Sequence, residues 1–191
     1  MELVFATNNE NKVKEIKSML GNAFEIITLQ DAGIDIDIPE PHDTLEANAR
    51  EKSTVIHNMT GKNCFSEDTG LEIDALNGAP GVLSARYAGE QKSAADNIVK
   101  VLAEMEGKTN RNARFRTVIS LILDEREYQF EGVCEGKIAG TGSGEKGFGY
   151  DPIFIPNGST TSFAGMDMQE KNSYSHRAKA FRQLIDFLKN R

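Results

Sequence analysis

Residues 114–137 read RFRTVISLILDEREYQFEGVCEGK. Residues 114–123, rich in Val, Ile, Leu and Phe, form the longest strand signal in the chain. Tyr128–Lys137 forms a second. Only Asp124–Glu127 separate them, and a parallel crossover needs a dozen or more residues, so the two strands pair antiparallel. Outward from this hairpin toward the N-terminus, helices and strands interleave. Residues 2–6 read as a short buried strand. Lys12–Leu20 places Val13, Ile16, Met19 and Leu20 on one helical face, and Gly21-Asn22 ends that helix. Asp43, with Glu46 three residues on, reads as a capping box. The helix it opens runs to about Asn58, with Leu45, Ala49 and Ile56 inward. Asn63–Ser66 is a short strand, Leu71–Ile73 continues extended, and Gly78–Gly81 is a turn. In Ser93–Met105 the residues Ile98, Val101, Leu102 and Met105 keep helical spacing. Toward the C-terminus, 140–149 is glycine-rich, Ile153–Ile155 is a short strand, and Ser175–Lys189 is a helix burying Phe181, Leu184 and Leu188. Interleaved helices followed by a long hairpin imply an α/β fold, a mixed sheet with helices on both faces.

The 191 residues fit one domain, 1–191, with room for two lobes. Hydrophobic residues at 39% and charged residues at 27% are ordinary for a globular protein. No apolar run approaches the roughly 20 residues of a membrane span, and MELVFATNNE lacks the basic and apolar regions of a signal peptide. Cys64 and Cys134 stand alone and far apart, as buried thiols of a reducing compartment do; a cytoplasmic location follows. The net charge of −7 excludes a generic binder of nucleic acid or anionic membrane. A phosphate ligand would need local cations or a metal.

Four segments carry candidate chemistry. Thr7-Asn8-Asn9-Glu10-Asn11-Lys12 joins a strand to a helix, where free N–H groups and the positive helix end favour anions. Thr7 and Asn8 can donate to phosphate oxygens and Lys12 adds a point charge; a plain solvated loop is the other reading. Glu40, in a Pro-flanked loop, and Glu67-Asp68, at a strand end, are carboxylates suited to Mg²⁺, which prefers oxygen ligands and keeps several waters. One of them can also take a proton from a water; a solvated turn is the alternative. Gly142-Ser143-Gly144-Glu145-Lys146-Gly147 matches G-x-G-x-x-G. A dinucleotide fingerprint must open a helix, and Phe148-Gly149-Tyr150-Asp151-Pro152 follows instead, so that reading is rejected. Phe148 and Tyr150 can stack on a base or serve the core. Finally, Lys171-Asn172-Ser173-Tyr174-Ser175-His176-Arg177 opens the last helix, capped by Ser173 or Ser175. Its cations oppose the helix dipole, which favours an anionic or carbonyl-rich ligand.

In chain order, Ala6–Lys12, Glu40 with Asn48-Ala49 and Lys52, Glu67–Leu71, Asn77–Gly89, Phe148–Phe154 and Lys171–Arg177 resemble the inosine triphosphate pyrophosphatase family. The resemblance spans nearly the whole chain. It implies a mixed, highly twisted sheet flanked by helices, two lobes with a substrate cleft between them, and a homodimer. It implies Mg²⁺-dependent hydrolysis of ITP, dITP and XTP to the monophosphate and pyrophosphate. By the motif match, Asp68 would be the general base and a metal residue, with Glu40 the other metal carboxylate. Thr7, Asn8, Lys12, Lys52 and Thr69 would hold the phosphates, with Asn9 and Asn11 in the same loop. Phe148, Gly149, Tyr150, Asp151, Lys171, His176 and Arg177 would form the base pocket, Arg177 donating to the purine O6. Three positions depart from the commonest pattern: Thr69 for Ser, Gly165 for Glu and Ala178 for Gly. The Gly165 change puts in doubt a carboxylate that orients a pocket cation. Two rivals are a Maf-type nucleotide pyrophosphatase of other base specificity and a non-catalytic nucleotide-binding protein; Ser175-His176-Arg177 speaks against the first, and Glu40 with Asp68 against the second.

Overall fold

The computed structural model describes residues 1–20 and 24–191. The expected helix stop at Gly21-Asn22 lies outside the described residues. Seven strands form one mixed sheet: β1 (Glu2–Phe5), β2 (Glu25–Thr28), β3 (Cys64–Ile73), β4 (Pro80–Gly81), β5 (Asn112–Leu123), β6 (Arg126–Ile138) and β7 (Phe154–Pro156). Their order is β2-β1-β3-β5-β6-β7, with β4 paired to β3. β1 runs parallel to β2 and β3, while β3–β4 and β6–β7 are antiparallel. The helices are α1 (Glu10–Leu20), α2 (Leu45–Thr60), α3 (Ala94–Glu104), α4 (Met168–Tyr174) and α5 (His176–Lys189). None among the described residues is long and apolar enough to cross a membrane.

The hairpin reading of 114–137 holds, with a shorter turn. Only Asp124 and Glu125 link β5 to β6, both with positive φ, at 51° and 65°. A two-residue turn with both residues left-handed matches the twist of the strands it joins. The Asp124 N–H donates to Asn63 Oδ1, which ties the turn down.

Two expectations are corrected, and β2 and α4 stand beyond the elements read from the sequence. The second helix is capped not by Asp43 but by Thr44, whose hydroxyl accepts from the Ala47 N–H at 3.2 Å. β2 carries no clean alternation and was not anticipated. Asn63–Ser66 and Leu71–Ile73 belong to one ten-residue strand, β3, so Glu67-Asp68 is mid-strand rather than at an end. Gly70 does not break it. A Cβ there would lie 2.7 Å from the Gly81 carbonyl oxygen, so the glycine serves the close approach of β4. The last helix stands as expected to within one residue, α5 running His176–Lys189, but Lys171–Tyr174, read as its opening, lie in the separate α4, and Ser175, extended at φ −65° and ψ 144°, stands between the two. Ser173 sits inside α4 and donates to the Glu170 carbonyl.

The chain divides into two compact units, and β3, β5 and β6 each contribute to both. The first comprises Met1–Asp68, Thr117–Gly132 and Arg177–Arg191. Its core gathers Leu3, Phe5, Ile16, Phe65, Leu121, Phe181 and Leu184, with Phe5 and Phe65 stacked at 4.4 Å. A second cluster joins Val4, Leu29, Ile38, Ile56, Cys64 and Ile122. The second unit comprises Thr69–Arg116 and Val133–His176. Its core holds Leu71, Ile73, Val101, Met105, Phe115, Phe154 and Phe163.

Candidate active site

Successive residues of a strand point to opposite faces of the sheet. Along β3 the even positions meet α2: Cys64 Sγ donates to the Ser53 carbonyl, Ser66 Oγ to the Ala49 carbonyl, and Asp68 Oδ1 accepts from Lys52 Nζ. The odd positions meet α1 and α5: Phe65 packs on Phe181, and Glu67 binds Lys12 and Arg177. The adjacent pair Glu67-Asp68 thus serves two different sites.

On the α2 side, Lys52 Nζ lies 2.5 Å from Glu40 Oε1 and 3.0 Å from Asp68 Oδ1. Asp68 is 6% exposed, and its Oδ2 is buried with no hydrogen-bond partner among the described residues. Burial pushes the Asp68 carboxyl up; Lys52 opposes this, Glu40 adds to it, and the result is above the ordinary value. Burial also pushes Glu40 up, but Lys52 and Lys12 outweigh it and hold Glu40 low. Lys52 is drawn down by burial and more strongly up by Asp68 and Glu40, so it stays charged. A buried carboxylate oxygen without a partner is costly. Beside a second carboxylate it fits a hard dication that takes two protein oxygens and keeps its waters.

On the other face, Glu67 accepts from Arg177 Nε at 3.0 Å through both oxygens and lies 3.3 Å from Lys12 Nζ. Arg177 Nη1 donates to Glu15 of α1. Burial would raise Glu67, yet Arg177 and Lys12 bring it down to about 2. Among the described residues of the first unit, three cations, the half-buried Lys12 and the buried Lys52 and Arg177, thus face four carboxylates, the half-buried Glu40 and the buried Glu15, Glu67 and Asp68. The α1 entry loop adds backbone donors. Asn9 Oδ1 caps the helix by accepting from the Asn11 and Lys12 N–H groups, and Asn8 Nδ2 donates to the Ile36 carbonyl. The side-chain groups of Asn8 and Asn9 that make these bonds hold the loop's shape, while half-buried Thr7 and Lys12 stand at the helix N-terminus.

In the second unit, Lys171 Nζ donates to Asp151 Oδ2 at 2.6 Å, and the Phe148 N–H donates to the same oxygen at 2.8 Å. The ammonium lies 5.2 Å from the centre of the Phe148 ring. A Cβ on Gly147 would fall 2.0 Å from Asp151 Oδ2, which accounts for the last glycine of the false dinucleotide motif. Gly149 and Thr69 are partly exposed. Of the two aromatics, Tyr150 is a core residue, 5% exposed, donating its hydroxyl to the Ser84 carbonyl; Phe148 keeps part of its face open. His176 stacks on Phe115 at 4.6 Å. On the expectation that Phe148 stacks on a base, Phe148→Ala should weaken nucleotide binding by about 10-fold, one stacked base being worth roughly 1–3 kcal/mol, while Tyr150→Phe should lower stability and leave affinity nearly unchanged. Calorimetric titration with a non-hydrolysable purine triphosphate checks both.

The Ham1 family model matches residues 3–187. The chain belongs to the Ham1 family. It is 50% identical to a dITP/XTP pyrophosphatase of Flavobacterium psychrophilum over 190 residues, 100% of both chains, and 50% identical to one of Porphyromonas gingivalis, covering 98% and 97%. The solved HAM1 protein of Coxiella burnetii superposes with a TM-score of 0.91 at 38% identity, covering 100% of both chains. These matches bear out the α/β fold, a mixed sheet with flanking helices.

Arg177 is 2% exposed, with Nε and Nη1 given to Glu67 and Glu15. Its geometry is that of a structural ion-pair centre. Sequence reasoning missed Glu15 and Glu67 as members of the charged network. The strand period at Glu67-Asp68 was the available signal for Glu67; Glu15, a charge on the apolar face of α1, was the signal for itself. Asp151 pairs with Lys171 at 2.6 Å.

Proposed function

We propose that this Ham1-family chain hydrolyses deaminated purine nucleoside triphosphates, dITP, ITP and XTP, to the monophosphate and pyrophosphate, with Mg²⁺ as cofactor. The carrying observation is the Asp68 carboxylate, with one oxygen on Lys52, the other buried and unpartnered, and Glu40 adjacent. The relatives' names supply the substrate class. Glu40 and Asp68 would hold Mg²⁺, which when bound supplies Lewis acidity and screens the roughly four negative charges of the triphosphate. Asp68 orients a water toward the α-phosphate and takes its proton. Lys52 keeps Asp68 ionised until that step. Lys12, Thr7 and the N–H groups at the start of α1 receive the charge that develops on the leaving pyrophosphate, and Thr69 adds a hydroxyl. By the motif match, Phe148, Asp151 and Lys171 would meet the base, and a lysine, which only donates, suits the O6 acceptor of hypoxanthine and xanthine and not the amino group of adenine. The working form is a cytoplasmic homodimer; two free, buried thiols suit a reducing compartment.

Product identity tests the reading. With Mg²⁺, ITP should give IMP and pyrophosphate in equal amounts by ³¹P NMR, and dITP and XTP should turn over far faster than ATP, GTP or dTTP. IDP and orthophosphate as first products would overturn the assignment of Lys12 and Asp68.

A further inference from the structure

Glu40 lies in a segment without regular secondary structure, flanked by Pro39 and Pro41. Prolines have no N–H with which to anchor such a segment. Upstream it is held by apolar burial, as Ile34, Ile36 and Ile38 all pack into one cluster of the first unit. Downstream, beside a 3.6 Å contact between the exposed His42 ring and Glu51, one buried side chain holds the backbone. Asn48 Oδ1 accepts from the His42 N–H at 2.9 Å, and Asn48 Nδ2 donates to the His42 carbonyl at 3.0 Å. Asn48 is fully buried and sits on α2, one turn before Lys52. One amide thus satisfies both backbone groups of His42, two residues beyond Glu40, and Lys52 of the same helix face grips the Glu40 carboxylate.

We propose that Asn48 is the positioning residue for Glu40: its two-point clamp on His42 fixes the Pro39–His42 segment so that the Glu40 carboxylate stands beside Asp68, ready for a divalent cation. The inference rests on the reading of Glu40 and Asp68 as cation ligands. Only an amide offers a donor and an acceptor side by side in this geometry. An alanine offers neither, and an aspartate keeps the acceptor for the N–H but turns an oxygen toward the carbonyl.

The test uses the full chain without nucleotide. Hydrogen exchange reads the clamp: the His42 amide should be protected in the wild type and exchange fast in Asn48→Ala, while the Ala49–Ser53 amides stay protected. Mn²⁺ alone, titrated calorimetrically, reads the consequence. Groups that orient metal ligands typically contribute about 10–100-fold in affinity, and Asn48→Ala should lose that much. The double variant Asn48→Ala/Glu40→Gln should bind Mn²⁺ no more weakly than Glu40→Gln alone, because Asn48 acts through Glu40. Asn48→Asp keeps the volume and should repeat the loss if the alanine variant does not fold. Multiplying losses in the double variant, or unchanged exchange at His42, would overturn the proposal. Unchanged Mn²⁺ affinity in Glu40→Gln would instead remove Glu40 from the cation site, and with it the ligand that Asn48 is proposed to place.

Discussion

Asp68→Asn should lower kcat on dITP and XTP by a factor of about 10²–10⁴, the usual contribution of a general base, with KM little changed. The substitution suits the site. The amide keeps the size of the carboxylate, and its oxygen can accept from Lys52 as Oδ1 does now. Lys52 still has Glu40 at 2.5 Å, so no buried cation is orphaned and the fold should survive. What is lost is the oxygen that can take a proton and one of the two charges proposed to hold Mg²⁺, so the assay is run at saturating Mg²⁺. The pH dependence has a definite sign. As the proposed base, Asp68 works only when ionised. The wild-type rate should therefore fall with acidification as Asp68 takes up a proton, and the residual rate of Asp68→Asn should lack that limb. A variant with an intact urea transition and near wild-type kcat would show that another group is the base.

The hairpin and the helix faces were legible because each rests on local rules. Ten β-forming residues on either side of a turn leave the chain one inexpensive choice, and helical spacing put Val101, Leu184 and Phe181 where the structure has them. The misreadings share one cause: local punctuation was overridden by tertiary contact. Glu67-Asp68 read as a strand end, but β3 runs on through Gly70, which makes room for β4. Lys171–Tyr174 read as the opening of the last helix but form α4, which ends before α5 begins. Ile34, Ile36 and Ile38 alternate with Asp35 and Asp37 as a strand would; the isoleucines face the core, though no strand forms.

The candidate site was legible as a set of residues more than as a set of roles. The resemblance to the inosine triphosphate pyrophosphatase family supplied Glu40, Lys52 and Asp68, and the structure places them within one ion-paired cluster. It could not say that Tyr150 spends its hydroxyl on Ser84, or that Arg177 spends its guanidinium on Glu15 and Glu67. Such assignments depend on which partners the fold delivers from distant positions, 110 residues apart for Arg177 and Glu67, and no motif spacing records them.

Arg177→Ala should be among the most destabilising single changes in this protein. It leaves two carboxylates, Glu15 and Glu67, buried without the guanidinium between them. Removing one partner of a buried ion pair costs about 3–5 kcal/mol, a large share of the roughly 5–15 kcal/mol that holds a domain folded. The loss should also depend on pH. In the wild type, Glu67 titrates at about 2 when folded against an ordinary 4.5. Its contribution is complete above that ordinary value and is lost as pH falls toward 2. In the variant the largest influence holding Glu67 down is gone, and burial drives its pKa upward. A buried carboxylate of raised pKa is most harmful at neutral pH and is relieved by protonation. The gap between wild type and variant should therefore be widest near pH 7 and close as the solution is acidified. Arg177→Lys, which keeps the charge without the planar fork, should fall between the two. Urea unfolding across this range decides it: a stability gap independent of pH would mean that Arg177 contributes by packing and not by holding Glu67 ionised.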